Sequence, residues 1–143
     1  MLIRGGCHCA NISFELTGRP RRPRFRRARA TAFFCTKYGG VWTAYPQGAL
    51  TVRVKRRELV SQYAFGTRTA HFHVCRLCGV VPVATSEIEG RVFAVVNVNA
   101  FSNVPAAMLR HSAASFDGED TSDRLARRAR NWIGDVSFVA GDD

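Results

Sequence analysis

The chain has 143 residues, enough for one domain with a core of its own, and we take residues 1–143 as a single unit. It is 46% hydrophobic and 22% charged, and no apolar run approaches the roughly 18–20 residues of a membrane helix, which excludes a membrane-spanning helix and a membrane partner of that kind. The formal net charge is +10, yet seven arginines and no acid fall in "RPRRPRFRRAR" (Arg19–Arg29), so seven of the ten net charges are one local feature.

In chain order, most segments have the pattern of short strands. "NISFEL" alternates Ile12, Phe14 and Leu16, and "ALTVRVK" alternates Leu50, Val52 and Val54, the period of a half-buried strand. "LVSQYAF", "TAHFHV" and "RVFAVVNVN" are aromatic and β-branched and add further strands. Gly39-Gly40, Pro46-Gln47-Gly48 and Glu89-Gly90 punctuate them as turns. A short helical turn is expected after Pro105. The best helix is "TSDRLARRARNW", with Ser122 as N-cap and Leu125, Ala129 and Trp132 at helical spacing. "DVSFV" closes the chain as a last strand. The expected class is mainly β, with one short C-terminal helix.

Five cysteines follow an N-terminus, "MLIRGGCHC", that lacks the apolar stretch of a signal peptide. The expected location is therefore cytoplasmic, a reducing setting where metal binding or reactivity is the commoner use of cysteine. "HVCRLCGVVP" places Cys75 and Cys78 at C-x-x-C spacing with Gly79 next, the pattern of a zinc knuckle whose tight turn aims two sulfurs at one point. Cys7 and Cys9 on another turn would complete a four-cysteine tetrahedron, a soft donor set suited to structural zinc. Two alternatives stand beside this: unpaired buried thiols, and a redox pair. A redox C-x-x-C usually opens a helix, whereas Val80, Val81 and Val83 lead into a strand. His8, between two ligands, points away from the metal; His71 and His73 share a strand face and are read as packing or surface residues.

These motifs resemble the glutathione-dependent formaldehyde-activating enzyme family, which also includes centromere protein V. "GGCHCANISFEL" is similar to its G-x-C-H-C-G opening, with Ala10 where glycine is usual. "FFCTKYGGVW" resembles its central C-x-C-x-x-C-x-K-x-G-G block, "CRLCGVVP" its knuckle, and "VNVN", "FDGED" and "RNWIGDV" its C-terminal half. The resemblance implies an Mss4-like β-sheet fold around a structural zinc on Cys7, Cys9, Cys75 and Cys78. It also implies carbon–sulfur lyase chemistry at a second, three-cysteine zinc, with glutathione or a similar small thiol or thiol adduct as co-substrate and partner. In this chain the other two positions of that second site are Ala30 and Ala32, and only Cys35 remains. Alanine binds no metal, so the catalytic zinc is expected to be missing and the activity impaired; Cys35 is read as a buried or idle thiol, with a reactive thiol or residual metal ligand as the alternative.

The lost ligands adjoin the arginine run. Arg29-Ala30-Thr31-Ala32 is encoded as CGN-GCN-ACN-GCN; two bases later the codons are NGC, NAC and NGC, which permit Cys-Asp-Cys or Cys-His-Cys. The T-rich codons of Phe33 and Phe34 would let one base restore the frame. We therefore read residues 19–34 as an atypical, frame-shifted version of an ordinary segment. The competing reading is a non-catalytic zinc-stabilised module that binds an anionic ligand, or nucleic acid, through this basic run. Only Phe25 interleaves with the arginines, which leaves little for base stacking there. Arg124, Arg127, Arg128 and Arg130 are expected on a solvated helix face. Asp117, Glu119 and Asp120 form a carboxylate-rich turn that orders nearby arginines, and Trp42 and Trp132 are expected in the core.

Overall fold

The structure, a computed structural model, describes residues 1–18, 25–30, 33–104, 109–114 and 119–141. The reading of residues 19–24, of Ala32, of Asp117 and of a helical turn directly after Pro105 lies outside the described residues.

The period-two apolar pattern assembles two sheets. The first, in the order β1-β2-β5-β11, contains β1 (Leu2–Gly6), β2 (Ile12–Thr17), β5 (Ala49–Val54) and β11 (Asp135–Ala140). The second, in the order β10-β3-β4-β9-β8-β7-β6, contains β3 (Phe25–Ala30), β4 (Val41–Thr43), β6 (Val60–Tyr63), β7 (His71–Cys75), β8 (Val83–Ile88), β9 (Arg91–Asn97) and β10 (Leu109–Ala114). Among the described residues two α-helices, α1 (Phe33–Tyr38) and α2 (Thr121–Asn131), and two 3-10 turns, Arg57–Leu59 and Val98–Ala100, complete the set. No helix among the described residues is long and apolar enough to cross a membrane.

Register follows burial. Phe14 faces Val52 and Leu16 faces Leu50 across β2 and β5, and all four are buried. A one-residue slip would turn this set to solvent, so the apolar pattern itself selects the pairing. Ile3, Ile12, Phe14, Leu16, Leu50 and Val52 of the first sheet meet Val83, Ala94 and Val96 of the second in one core. Each large side chain buried there stabilises by about 1.5–3 kcal/mol relative to exposure. The alternate residues of the second sheet, Phe72, Ala84 and Val95, form a second core on its other face with Trp42, Cys35 and the partly buried Trp132. The central strands β8 and β9 are thus buried on both faces, which is why "RVFAVVNVN" is almost continuously apolar.

The turns obey local backbone rules. Glu89 and Gly90 both have positive φ, 51° and 76°, as a two-residue β8–β9 hairpin of the favoured twist requires. α1 was not marked by any periodicity: six residues are too few to show it. It ends where Gly39 takes φ 72° and the Gly40 N–H closes back on the Cys35 carbonyl at 2.9 Å.

Two expectations for α2 are corrected. Its N-cap is Asp120, not Ser122: the Asp120 side chain accepts from the Asp123 N–H at 2.7 Å. Ser122 then lies inside the first turn, and the carboxylate cap adds favourable charge at the positive helix end. The buried residue of the helix is Arg128, while Ala129 is exposed. Beyond the Pro105 region, Leu109–Ala114 is a strand, paired parallel with β3.

Candidate metal centre

Two turns, at the ends of β1 and β7, carry the four cysteines. After β1 the chain folds back through Cys7–Ala10, closed by Ala10 N–H to the Cys7 carbonyl at 3.1 Å and Cys7 N–H to the Ile12 carbonyl at 2.8 Å. Ala10 sits at φ 66°, the left-handed region that favours glycine, so its methyl strains the turn. After β7, Gly79 N–H bonds the Cys75 carbonyl at 2.9 Å and Gly79 takes φ 77°, the conformation that "CRLCG" needs to turn both sulfurs inward.

These turns bring the Sγ atoms of Cys7, Cys9, Cys75 and Cys78 within 4.8 Å of one another. Cys7 and Cys9 sulfurs are 3.8 Å apart and those of Cys9 and Cys75 3.5 Å. Zinc–sulfur bonds of about 2.3 Å at tetrahedral angles place neighbouring sulfurs about 3.8 Å apart. The donor set and its spacing fit such an ion, and the four cysteines could hold a metal such as zinc. Thiols must deprotonate to do so. Burial pushes the Cys7 thiol up to about 12, and it raises Cys75 as well. Burial also acts to raise Cys78, but the N–H groups of Val80 and Cys9 and the thiols of Cys75 and Cys7 outweigh it and bring it down to about 6. The cluster is asymmetric: Cys7 and Cys75 are buried, Cys78 is intermediate and Cys9 is exposed.

Asn11 locks the first turn in place, a role its sequence position did not announce. Its side chain accepts from the Arg56 N–H at 2.9 Å and donates to the Arg56 carbonyl at 3.2 Å, pairing like a strand residue with the segment after β5. Asn97 does similar work elsewhere, donating to the Val81 carbonyl at 3.1 Å and so bracing the segment that follows the knuckle. A polar residue inside the apolar run "VVNVN" is the one sequence signal that pointed to it.

The remaining candidates lie apart from the four sulfurs. His8 is exposed. His73 is buried, its Nε2 2.8 Å from Thr85 Oγ1, and burial together with the charge of His71 lowers it to about 4. Cys35 is buried in the second core, where Tyr38 Oη donates to its Sγ at 3.6 Å. Ala30 ends β3. Trp42 is buried and Trp132 is partly buried.

The arginines of α2 do not form a solvated face. Glu119 draws Arg127 to 3.1 Å and Arg124 to 3.6 Å, as the carboxylate-rich turn suggested. Arg128 is buried, donating to Thr69 Oγ1 at 2.8 Å and Ser86 Oγ at 3.1 Å with its guanidinium over the Trp132 ring. Only Arg130 of the four is exposed. The correction has a physical cause: a guanidinium can be buried where hydroxyls and a ring face replace water, and α2 supplies that by packing on β8.

No family model and no curated protein matches the chain. Among solved structures, a Rhodobacter sphaeroides protein is similar, with 25% sequence identity and a TM-score of 0.53. The match covers 76% of this chain and 99% of that one.

Proposed function

We propose that this chain is a zinc-stabilised β domain of the glutathione-dependent formaldehyde-activating type, with an Mss4-like arrangement and impaired carbon–sulfur lyase chemistry. The observation that carries the reading is the convergence of four cysteine sulfurs from two turns 66 residues apart, at spacings that suit one tetrahedral ion. Cys7, Cys9, Cys75 and Cys78 would hold a structural zinc. Four thiolates leave no open position, so this site would supply folding free energy rather than substrate activation.

The lyase half of the reading rests on the resemblance, and Cys35 is its remnant. A small thiol such as glutathione would need an accessible metal or nucleophile. Cys35 is instead 3% exposed and hydrogen-bonded by Tyr38, with Ala30 and Ala32 at the other ligand positions. That burial weighs against catalysis at Cys35; the second reading is a non-catalytic module that binds an anionic ligand.

Zinc per chain on protein purified without chelator tests both. One equivalent supports the structural site with the catalytic site lost. None removes the zinc reading, and two returns the enzyme reading to the front. The double variant Ala30→Cys/Ala32→Cys should gain a second zinc and thiol-dependent turnover; a folded variant that gains neither removes the lyase ancestry as an explanation.

A further inference from the structure

The positive excess of this chain lies in two segments. One is the arginine run. The other is residues 53–76, which hold Arg53, Lys55, Arg56, Arg57, Arg68 and Arg76 against the single acid Glu58. The described part of the run, Phe25–Arg29 in β3, and the second segment lie toward different edges of the seven-stranded sheet. β3, which contains the last residues of the run, is next to one edge of the seven-stranded sheet, and β6 forms the opposite edge. The side chains of Arg53, in β5 of the four-stranded sheet, and of Lys55, Arg57 and Arg68, in the segments before and after β6, are exposed and make no hydrogen bond or ion pair among the described residues. Arg56 and Arg76 lean on Glu58, through its carboxylate at 3.0 Å and its backbone carbonyl at 3.2 Å. Lys55, Arg56 and Glu58 line a concavity of about 700 Å³ with Cys9, Asn11 and Leu77.

At the other end of β6 stand two exposed aromatic rings. Tyr63 and Phe65 are 47% and 38% exposed and stack on each other at 5.9 Å with planes 29° apart. Phe34 backs Tyr63 at 4.8 Å and Phe72 backs Phe65 at 5.7 Å, which holds both rings in place before any ligand arrives. A single 3-10 turn, Arg57–Leu59, leads into β6, and from Val60 to Tyr63 the strand spans about 10 Å. Exposed cations before the start of β6 and a preset aromatic pair at its end, joined by an exposed strand edge, are groups that can take backbone phosphates and unstacked bases.

We propose that the β6 edge binds single-stranded nucleic acid, with Lys55, Arg56, Arg57 and Arg76 contacting phosphates and Tyr63 and Phe65 stacking bases. A duplex keeps its bases stacked and offers the rings nothing. An anionic bilayer is flat, whereas Lys55 and Arg56 line a hollow. This site includes no residue of the arginine run and does not depend on any chemistry at Cys35.

The test is fluorescence anisotropy with the full, zinc-loaded chain and a labelled oligothymidylate of about 20 nucleotides, beside a duplex of the same length and a salt series. The wild type is expected to prefer the single strand. Tyr63→Ser/Phe65→Ser should lose about tenfold or more on the single strand and leave the duplex unchanged. Lys55→Gln/Arg57→Gln, two exposed and unpaired side chains whose loss spares the fold, should weaken binding and flatten the salt slope by about 1–1.5. This second variant carries the test if the aromatic one fails to fold. The proposal is overturned if the wild type shows no single-strand binding, or if Lys55→Gln/Arg57→Gln binds as the wild type does. It is also overturned if only Arg19→Gln/Arg21→Gln/Arg22→Gln abolishes binding, or if the two edge variants lose affinity for phosphatidylserine vesicles while keeping it for the oligonucleotide.

Discussion

The sulfurs of Cys9 and Cys75 lie 3.5 Å apart across 66 residues of intervening chain, one exposed on the first turn and the other fully buried at the end of β7. The contact ties the four-stranded sheet to the seven-stranded one at the rim of their shared core. An ion bound there would act as a cross-link between the sheets.

Zinc removal should therefore unfold the sandwich from that rim. With a strong chelator the melting temperature should fall by about 10 °C or more, and Cys75→Ser should lose the metal and show the same loss without chelator. Differential scanning calorimetry beside metal analysis checks this. A chelated protein that melts unchanged would mean that the two cores suffice alone.

The asymmetry of the cluster predicts an order of thiol reactivity. In metal-free protein, iodoacetamide should label Cys9, which is exposed, and Cys78, whose thiol is lowered to about 6, before Cys7 and Cys75, which burial keeps protonated. Peptide mapping after timed labelling reads the order, and zinc should protect all four.

Ala10 is a stored cost. Ala10→Gly removes a methyl group from a φ 66° turn and should stabilise by about 0.5–1 kcal/mol, the left-handed penalty less the extra freedom glycine gains when unfolded. Urea unfolding should show a higher midpoint at unchanged slope.

Arg128 and Arg130 should differ sharply although the sequence presents them alike. Arg128→Ala removes two hydrogen bonds and a ring contact from a buried site and should cost about 2 kcal/mol. Arg130→Ala, on the exposed side, should stay within about 0.5 kcal/mol. Paired chemical denaturation curves decide it, and equal effects would place Arg128 in solvent.

Legibility varied with the range of the interaction. Alternating apolar residues made β2 and β5 readable, because one buried face imposes a period of two on the local sequence. The C-x-x-C-G turn was readable for the same local reason. β1 was not: "LIRGG" has no alternation, and it becomes a strand by pairing with β2. That Cys35 is buried agrees with its reading as a buried or idle thiol, but its neighbours Phe72, Trp42 and Val95, which arrive from three strands, were not legible.

The sequence by itself determined the chemistry on offer: four thiols in two turns, alanines at positions 30 and 32, and a charge excess held mostly by the arginine run. Backbone preferences and hydrophobic period act over a few residues, so they are written locally. Tertiary structure alone decided which groups share a place: that the four sulfurs converge, that Arg128 is buried while Arg130 is not, and that exposed cations stand before the start of β6 and aromatic rings at its end. Those outcomes depend on long-range packing, where water is excluded by residues far apart in the chain.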